Sequence, residues 1–324
     1  MGNALVDVLA SADQATLDAL DLVKGTMALV DHERSEAIYA AMGPTTEASG
    51  GSAANTMAGV AALGGRAAFL GRVADDQLGR AFTHDIRTIG VAFDPTPAPA
   101  GGSSVTGHCL VLVTDDAERT MATYLGVASE FGAADLHDGH LSSVQVLYLE
   151  GYLWEQPSAK AAMRGAIDLA HASDASVALT VSDPFCVQNH REEFLELVHN
   201  DLEMLFANEE EIMSLFGVVT FDDAVEAVTE TGVLAVLTRG AAGSVVVTAS
   251  GPLEVPAASV DRVVDTTGAG DLFAAGFLYG ITNGLSPEES ARLGSVCAAE
   301  VISHVGARPQ ADLRSLAVAA GLFA

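Results

Sequence analysis

Lysine is almost absent from this chain: Lys24 and Lys160 are the two among 324 residues, and Asp plus Glu number 43 against 15 Lys plus Arg. The formal net charge is −28. A surface of that sign repels nucleic acid and anionic membranes, so neither is expected as a partner. Neither lysine closes a glycine-rich loop, which excludes a P-loop nucleotide site, and neither has a protein-kinase context. Cysteine is scarce as well. Cys109, Cys186 and Cys297 lie far apart in a pattern that fits no zinc site or disulfide framework, and a cytoplasmic location is expected. No apolar run reaches transmembrane length, and no basic segment followed by an apolar one opens the chain. Aromatics make up 6 % of the residues, so a core drawn from the 49 % hydrophobic content rests on Val, Leu, Ile and Ala. A protein this acidic that takes up a polyanion must neutralise it locally with backbone N–H groups, Arg or metal.

The length suits a single α/β domain over residues 1–324. From Gly50 onward, strand-like and helix-like stretches alternate. Strands are expected at 67–73, 144–149, 177–181, 204–207 and 233–238, and helices at 52–63, 77–89, 158–170, 192–198 and 209–216. Repeated β-α-β units predict a doubly wound parallel sheet with helices on both faces. Two segments, about 7–48 and 93–125, break the alternation with strand-like pieces such as 108–114. Thr114-Asp115-Asp116-Ala117 reads as a hairpin turn. These segments are expected to form a small β-sheet lid, the alternative being an edge extension of the main sheet.

The most informative stretch is Asp265-Thr266-Thr267-Gly268-Ala269-Gly270-Asp271, which opens an apolar run from Leu272 to Tyr279. Small residues at a helix mouth let backbone N–H groups approach an anion, and the helix dipole favours negative charge there. A carboxylate at Asp271 can take the proton of a hydroxyl that attacks a phosphoryl group. The bland alternative is a glycine turn with Asp as a helix-start residue. A second element, Gly50-Gly51-Ser52-Ala53-Ala54-Asn55, brings glycines together with an Asn that offers both donor and acceptor; alone, it reads as a turn with Ser52 capping a helix.

Together these stretches resemble the ribokinase family of carbohydrate and nucleoside kinases. The 50–55 element, continuing through Gly71-Arg72-Val73-Ala74-Asp75-Asp76-Gln77-Leu78-Gly79, is similar to the family's first signature, and 265–271 to its second. The resemblance implies a ribokinase-like fold, ATP with Mg²⁺ and a small-molecule acceptor, in a monomer or homodimer. It implies that Asp271 is the catalytic base and that Gly268, Ala269 and Gly270 form the anion hole. Asn208-Glu209-Glu210-Glu211 matches the Asn-x-x-Glu motif, so Asn208 and Glu211 would organise Mg²⁺ through water; by pattern alone the run reads equally as a solvated first helical turn. Thr238, Arg239, Gly240 and Gly243 resemble the loop bordering the nucleotide. Asp265 and Thr267, with carbonyls near Val301 and Gly306, stand where many members bind K⁺.

Within the family, Gly2-Asn3-Ala4-Leu5-Val6-Asp7 resembles the opening motif of adenosine kinases. That likeness implies hydroxyl binding by Asn3, Asp7 and Asn55 beside Gly50 and Gly51. It also implies base contacts from Tyr152 and from Phe185 in Ser182-Asp183-Pro184-Phe185, and closure of Arg119 over the phosphates. Members carry a full strand before the Gly-Asn element, whereas Met1 stands immediately before Gly2 here. The expected activity is transfer of the γ-phosphoryl group of ATP to a hydroxymethyl group, adenosine giving AMP. The alternatives are a sugar kinase acting on fructose, ribose or a keto-deoxy acid, and a nucleoside-binding regulatory protein without turnover.

Overall fold

Residues along each strand of the main sheet alternate between two cores, and this alternation recruits helices to both faces. The computed structural model describes residues 1–116, 118–136 and 141–323. Its largest sheet runs, in spatial order, Gly251–Val255, Ser244–Thr248, Leu234–Thr238, Met204–Asn208, Ser176–Thr180 and Val146–Glu150. The last four strands are parallel, and the first two join by antiparallel pairing. Leu205 and Ala207 face a core shared with helices Pro157–Ala172, Pro184–Asn200, Glu209–Phe216 and Phe221–Thr231. Met204 and Phe206 face the opposite core, which holds Phe273 and Phe277 of Ala269–Thr282, Ala291 of Pro287–Val301, and Ala53 and Ala54 of Ser52–Ala62. A strand period of two presents both sets of side chains at once, which is why these strands are apolar throughout.

Met1 and Gly2 extend this sheet. The Met1 amine donates to Tyr148 O at 2.6 Å, Glu150 N–H donates to Met1 O at 3.1 Å, and Gly2 N–H donates to Leu70 O at 3.1 Å. These two residues link the main sheet to the two-stranded pair of Ala67–Ala68 with Val91–Ala92. The strand expected over 67–73 is shorter than its apolar run suggests, because Phe69 and Val73 make single bonds to Ala92 and Ala98 rather than a continued ladder.

Past Gly2 the chain turns through Asn3 and Ala4 into a separate sheet. Its spatial order is Met27–Leu29, Arg119–Tyr124, Gly107–Val113, Leu5–Ser11 and Thr46–Gly50. The sheet thus draws on both segments set aside as a lid, although residues 93–106 add no strand to it, and Ala117 of the expected turn lies outside the described residues. Two short helices interrupt the first segment, Gln14–Ala19 and His32–Ala41. They start where the Asp13 and Asp31 carboxylates accept the N–H groups of Thr16 and Arg34. Among the described residues no helix is long and apolar enough to cross a membrane. The glycine-rich elements meet where the two sheets adjoin, at the carboxyl ends of the parallel strands, a position at which α/β folds place ligands.

Candidate active site

Two helices point their N-termini at one carboxylate. The site helix, Ala269–Thr282, starts from Gly268 in the left-handed region at φ 79° with no side chain capping it. Gly268 meets two demands that other residues fail. Its φ suits glycine, and a Cβ would lie 2.7 Å from the Cβ of Ala307. Asp271 stands in the first turn. Its Oδ1 accepts Ser52 Oγ–H at 2.6 Å and its Oδ2 accepts Asn55 Nδ2–H at 2.9 Å. Both donors come from the first turn of the Ser52–Ala62 helix, so both helix dipoles favour charge on Asp271. Burial nevertheless pushes its carboxyl above the ordinary range, while Ser52, Asn55 and Arg308 pull it down. Ala269 N–H returns to Thr266 O at 3.2 Å, which leaves Gly270 and Asp271 to supply the N-terminal donors that an anion would meet. Ser52, expected to cap its own helix, instead orients Asp271, and Gly51 takes the cap position at φ 90°.

Glu150 fixes the turn that carries Ser52. It ends the otherwise apolar strand Val146–Glu150 and is buried. Its Oε1 accepts Asn3 Nδ2–H at 3.0 Å and Asn3 N–H at 3.2 Å, and its Oε2 accepts Ala53 N–H at 2.9 Å. Asn3, read as an acceptor-binding residue, is 3 % exposed and turned toward Glu150. Its place is behind the site, as a positioning residue. Gly51 packs on it: a Cβ at position 51 would fall 2.3 Å from Asn3 O. Asn55 is 5 % exposed; its Nδ2–H is given to Asp271, while its Oδ1 has no partner among the described residues and stays open to a donor such as a ligand hydroxyl.

Asp271 opens into a cavity of about 190 Å³ that also brings together Ser52, Asn208, Glu211, Thr238 and Gly270 over a floor of Tyr148 and Phe206. Asn208 and Glu211 form a complete capping box. Asn208 Oδ1 accepts Glu211 N–H at 2.9 Å, while Glu211 accepts Asn208 N–H at 2.8 Å and Asn208 Nδ2–H at 2.6 Å. The acidic run is therefore both a helix start and a cavity wall. Burial pushes the Glu211 carboxyl up to about 7, with Asp183 and Glu210 adding to the rise. A buried carboxylate beside other carboxylates fits a divalent cation held through water. No group of three His, Cys, Asp or Glu among the described residues forms a direct metal cage. Thr238 ends its strand at the cavity. Arg239 turns outward onto Glu209 at 3.1 Å and the Phe221 ring at 4.2 Å, and Gly240–Ala242 forms a short turn closed by Gly243.

The remaining residues gather on the side of the second sheet. Asp7 lies on Leu5–Ser11 over Gly50, whose Cβ, if present, would meet the Asp7 carboxylate at 2.6 Å. Burial pushes Asp7 up to about 6 against the pull of Arg119 and Arg308. Arg119 reaches from its strand to Asp265, with which it forms a buried ion pair, and donates to Thr267 Oγ1 at 3.1 Å. Asp265 also accepts Thr267 Oγ1–H at 2.7 Å and Gly306 N–H at 2.8 Å. A guanidinium on this carboxylate leaves Asp265 and Thr267 a poor fit to a monovalent cation. Tyr152 packs against the first core with its hydroxyl directed to Ser182 O at 3.4 Å. Phe185 is 62 % exposed, and neither aromatic lines the cavity. Three site residues carried no motif: Ser52 in its role on Asp271, Glu150, and Arg308. For Glu150 the available signal was a carboxylate at the end of the run Val146-Leu147-Tyr148-Leu149.

Comparison with known proteins places this geometry. Residues 20–313 match the pfkB family carbohydrate kinase. A crystal structure of adenosine kinase from Sinorhizobium meliloti is 47 % identical and superposes with a TM-score of 0.92 over 98 % of this chain and 97 % of that one. A probable sugar kinase from Rhizobium etli CFN 42 is 43 % identical, with a TM-score of 0.93 over 99 % and 97 %. A 5-dehydro-2-deoxygluconokinase from Geobacillus thermodenitrificans is 27 % identical over 264 residues, 78 % of each chain.

Proposed function

The chain belongs to the pfkB family of carbohydrate kinases and is an ATP-dependent phosphotransferase acting on a sugar or nucleoside; on that premise we propose that its acceptor is adenosine, converted to AMP. One observation carries the catalytic part of the reading: Asp271, held by Ser52 and Asn55 where two helix N-termini converge. The acceptor hydroxyl oxygen attacks the γ-phosphorus. A new O–P bond forms, the bond from the γ-phosphorus to the bridging oxygen breaks, the hydroxyl proton passes to Asp271, and ADP leaves. Backbone N–H groups of Gly270 and Asp271 face the charge that develops on the phosphoryl oxygens. The likeness to the Sinorhizobium meliloti enzyme supports adenosine. A second reading, a sugar acid as acceptor, is favoured by the 5-dehydro-2-deoxygluconokinase relatives and by a buried arginine beside Asp271.

Steady-state kinetics with adenosine, ribose, fructose and a keto-deoxy sugar acid tests the choice. Adenosine is expected to give the largest kcat/KM. A higher value for any sugar or sugar acid would overturn adenosine while leaving phosphotransfer in place.

Magnesium, when bound with the nucleotide, neutralises phosphate charge. Asn208 and Glu211 are the residues that would hold its waters. Glu211→Gln is expected to raise the Mg²⁺ concentration needed for half-maximal rate by about tenfold, the scale of losing an outer-shell partner, with a smaller change in acceptor KM. An unchanged Mg²⁺ titration would reduce Glu211 to its helix-capping role.

A further inference from the structure

In a chain of net charge −28 the guanidinium of Arg308 is buried, and none of its three nitrogens has a hydrogen-bond partner among the described residues. Its neighbours fix where it stands. Gly306 N–H is anchored on Asp265 at 2.8 Å, and Ala307 packs against Gly268 at the start of the site helix. Arg308 follows at the end of a bent stretch, and Pro309 comes after it. Asp85, Asp7 and Asp271 are the carboxylates within electrostatic reach, and Arg308 pairs with none of them. Asp85 is already engaged by Ser49 Oγ–H at 2.8 Å, and Asp271 by Ser52 and Asn55. Arg119, the other arginine of this side, is committed to Asp265 and Thr267.

A cation buried without an acceptor is strongly disfavoured unless a ligand brings one. Burial accordingly pushes Arg308 down to about 10 while the three carboxylates pull it back up. Its five N–H donors form a rigid fork that matches an oxyanion. Three carboxylates unaided would repel such a ligand from the helix mouth, and Arg308 is the cation within electrostatic reach of all three. We infer that Arg308 is an oxyanion-binding residue of the acceptor site, its ligand being the phosphoryl group in transit or a carboxylate carried by the acceptor. The inference rests on the kinase reading above.

The test uses Arg308→Gln and Arg308→Lys, assayed with adenosine, ribose and a keto-deoxy sugar acid at saturating ATP. Removing an unpaired buried charge leaves the fold intact, so the Gln variant is expected to melt no lower than wild type. If the ligand is the phosphoryl group, the Gln variant loses roughly 10²–10³-fold in kcat with every acceptor, the scale of one lost oxyanion donor, and Lys recovers part of it. If the ligand is a carboxylate, KM rises about tenfold or more for the sugar acid alone, as expected for a lost charge-assisted pair. A lower melting temperature with kcat and KM unchanged for all acceptors would overturn the inference, because it marks mere charge balance among Asp7, Asp85 and Asp271. Should wild type turn over none of the acceptors, the acceptor proposal fails by itself, and calorimetry with orthophosphate and gluconate then decides. Binding of either anion that Arg308→Gln abolishes supports the oxyanion role; equal binding, or none to wild type, overturns it.

Discussion

Asp271→Asn is expected to lower turnover by roughly 10²–10⁴-fold, the range for loss of a general base, with ATP affinity changed far less. The substitution keeps the shape of the side chain, and its environment accommodates the amide. Ser52 can turn its hydroxyl to accept from the new NH₂, while Asn55 Nδ2 continues to donate to the remaining oxygen. The backbone N–H donors of the site helix do not move. Nucleotide binding measured by calorimetry and the melting temperature therefore serve as controls, and kcat is the readout. The raised Asp271 pKa adds a signature. The base works ionised, so the acid limb of the wild-type pH–rate profile should lie above the ordinary aspartate range and vanish in the variant. A variant with wild-type kcat would return Asp271 to a helix-start residue.

The parts of the fold legible from sequence were those in which one physical signal acts alone. Glu209–Phe216 was readable from both ends because a capping box opens it and Gly217, left-handed at φ 68°, closes it. The parallel strands were readable because burial on both faces makes them apolar throughout. Gln14–Ala19 and His32–Ala41 were missed because their apolar faces are slight: one holds a single buried residue, Leu17, and the other Ser35 and Ile38. Their Asp caps were the surviving signal. The first half of Pro184–Asn200 was missed because Asp183-Pro184 was read as a pocket stretch, when it is an N-cap followed by proline at the first helical position.

The candidate site divides on similar lines. Asp271, Gly268 and the Asn208–Glu211 pair were visible because small residues and carboxylates at a helix start have few other uses, and the cavity gathers Asp271, Asn208 and Glu211. What sequence could not supply was the partner of each polar group. The resemblance implies ligand contacts for Asn3 and Asn55, yet the Asn3 amide donates to the buried Glu150, and the Asn55 Nδ2–H is given to Asp271 with its Oδ1 left open. Ser52, Glu150 and Arg308 lie far apart in the chain, and only tertiary packing brings Ser52 onto Asp271, Glu150 onto Ala53 and Arg308 within electrostatic reach of Asp271. An isolated arginine before a proline has no spacing to mark it.

Asp7→Asn should increase stability and decrease function together. Asp7 is half-buried on Leu5–Ser11, with Arg119, Arg308 and Asp271 within electrostatic reach and Cys109 beside it on the paired strand. Burial outweighs both arginines and takes its carboxyl from 3.8 to about 6. The folded state therefore holds this proton more tightly than the unfolded chain does. The stability associated with it is intact below the unfolded value and is lost as pH rises from about 4 through about 6. Above that window the ionised group costs about 3 kcal/mol, at roughly 1.4 kcal/mol per unit. The Asn variant, which has no charge to bury, should melt about 4 °C above wild type at pH 8 for a chain of this length and should converge on wild type near pH 4. The native carboxylate endures that cost for what it can accept. If Asp7 takes hydrogen bonds from two acceptor hydroxyls, each charge-assisted bond is worth about 1.5–3 kcal/mol. An amide, with one acceptor and two misplaced donors, should then lower kcat/KM by roughly 10²-fold or more, mostly through KM. Differential scanning calorimetry at the two pH values and acceptor kinetics at pH 8 give both halves. Higher stability with unchanged kinetics would mean that the acceptor does not touch Asp7. Lower stability at pH 8 would mean that Arg119 and Arg308 hold Asp7 as a structural anion, and would remove the trade-off altogether.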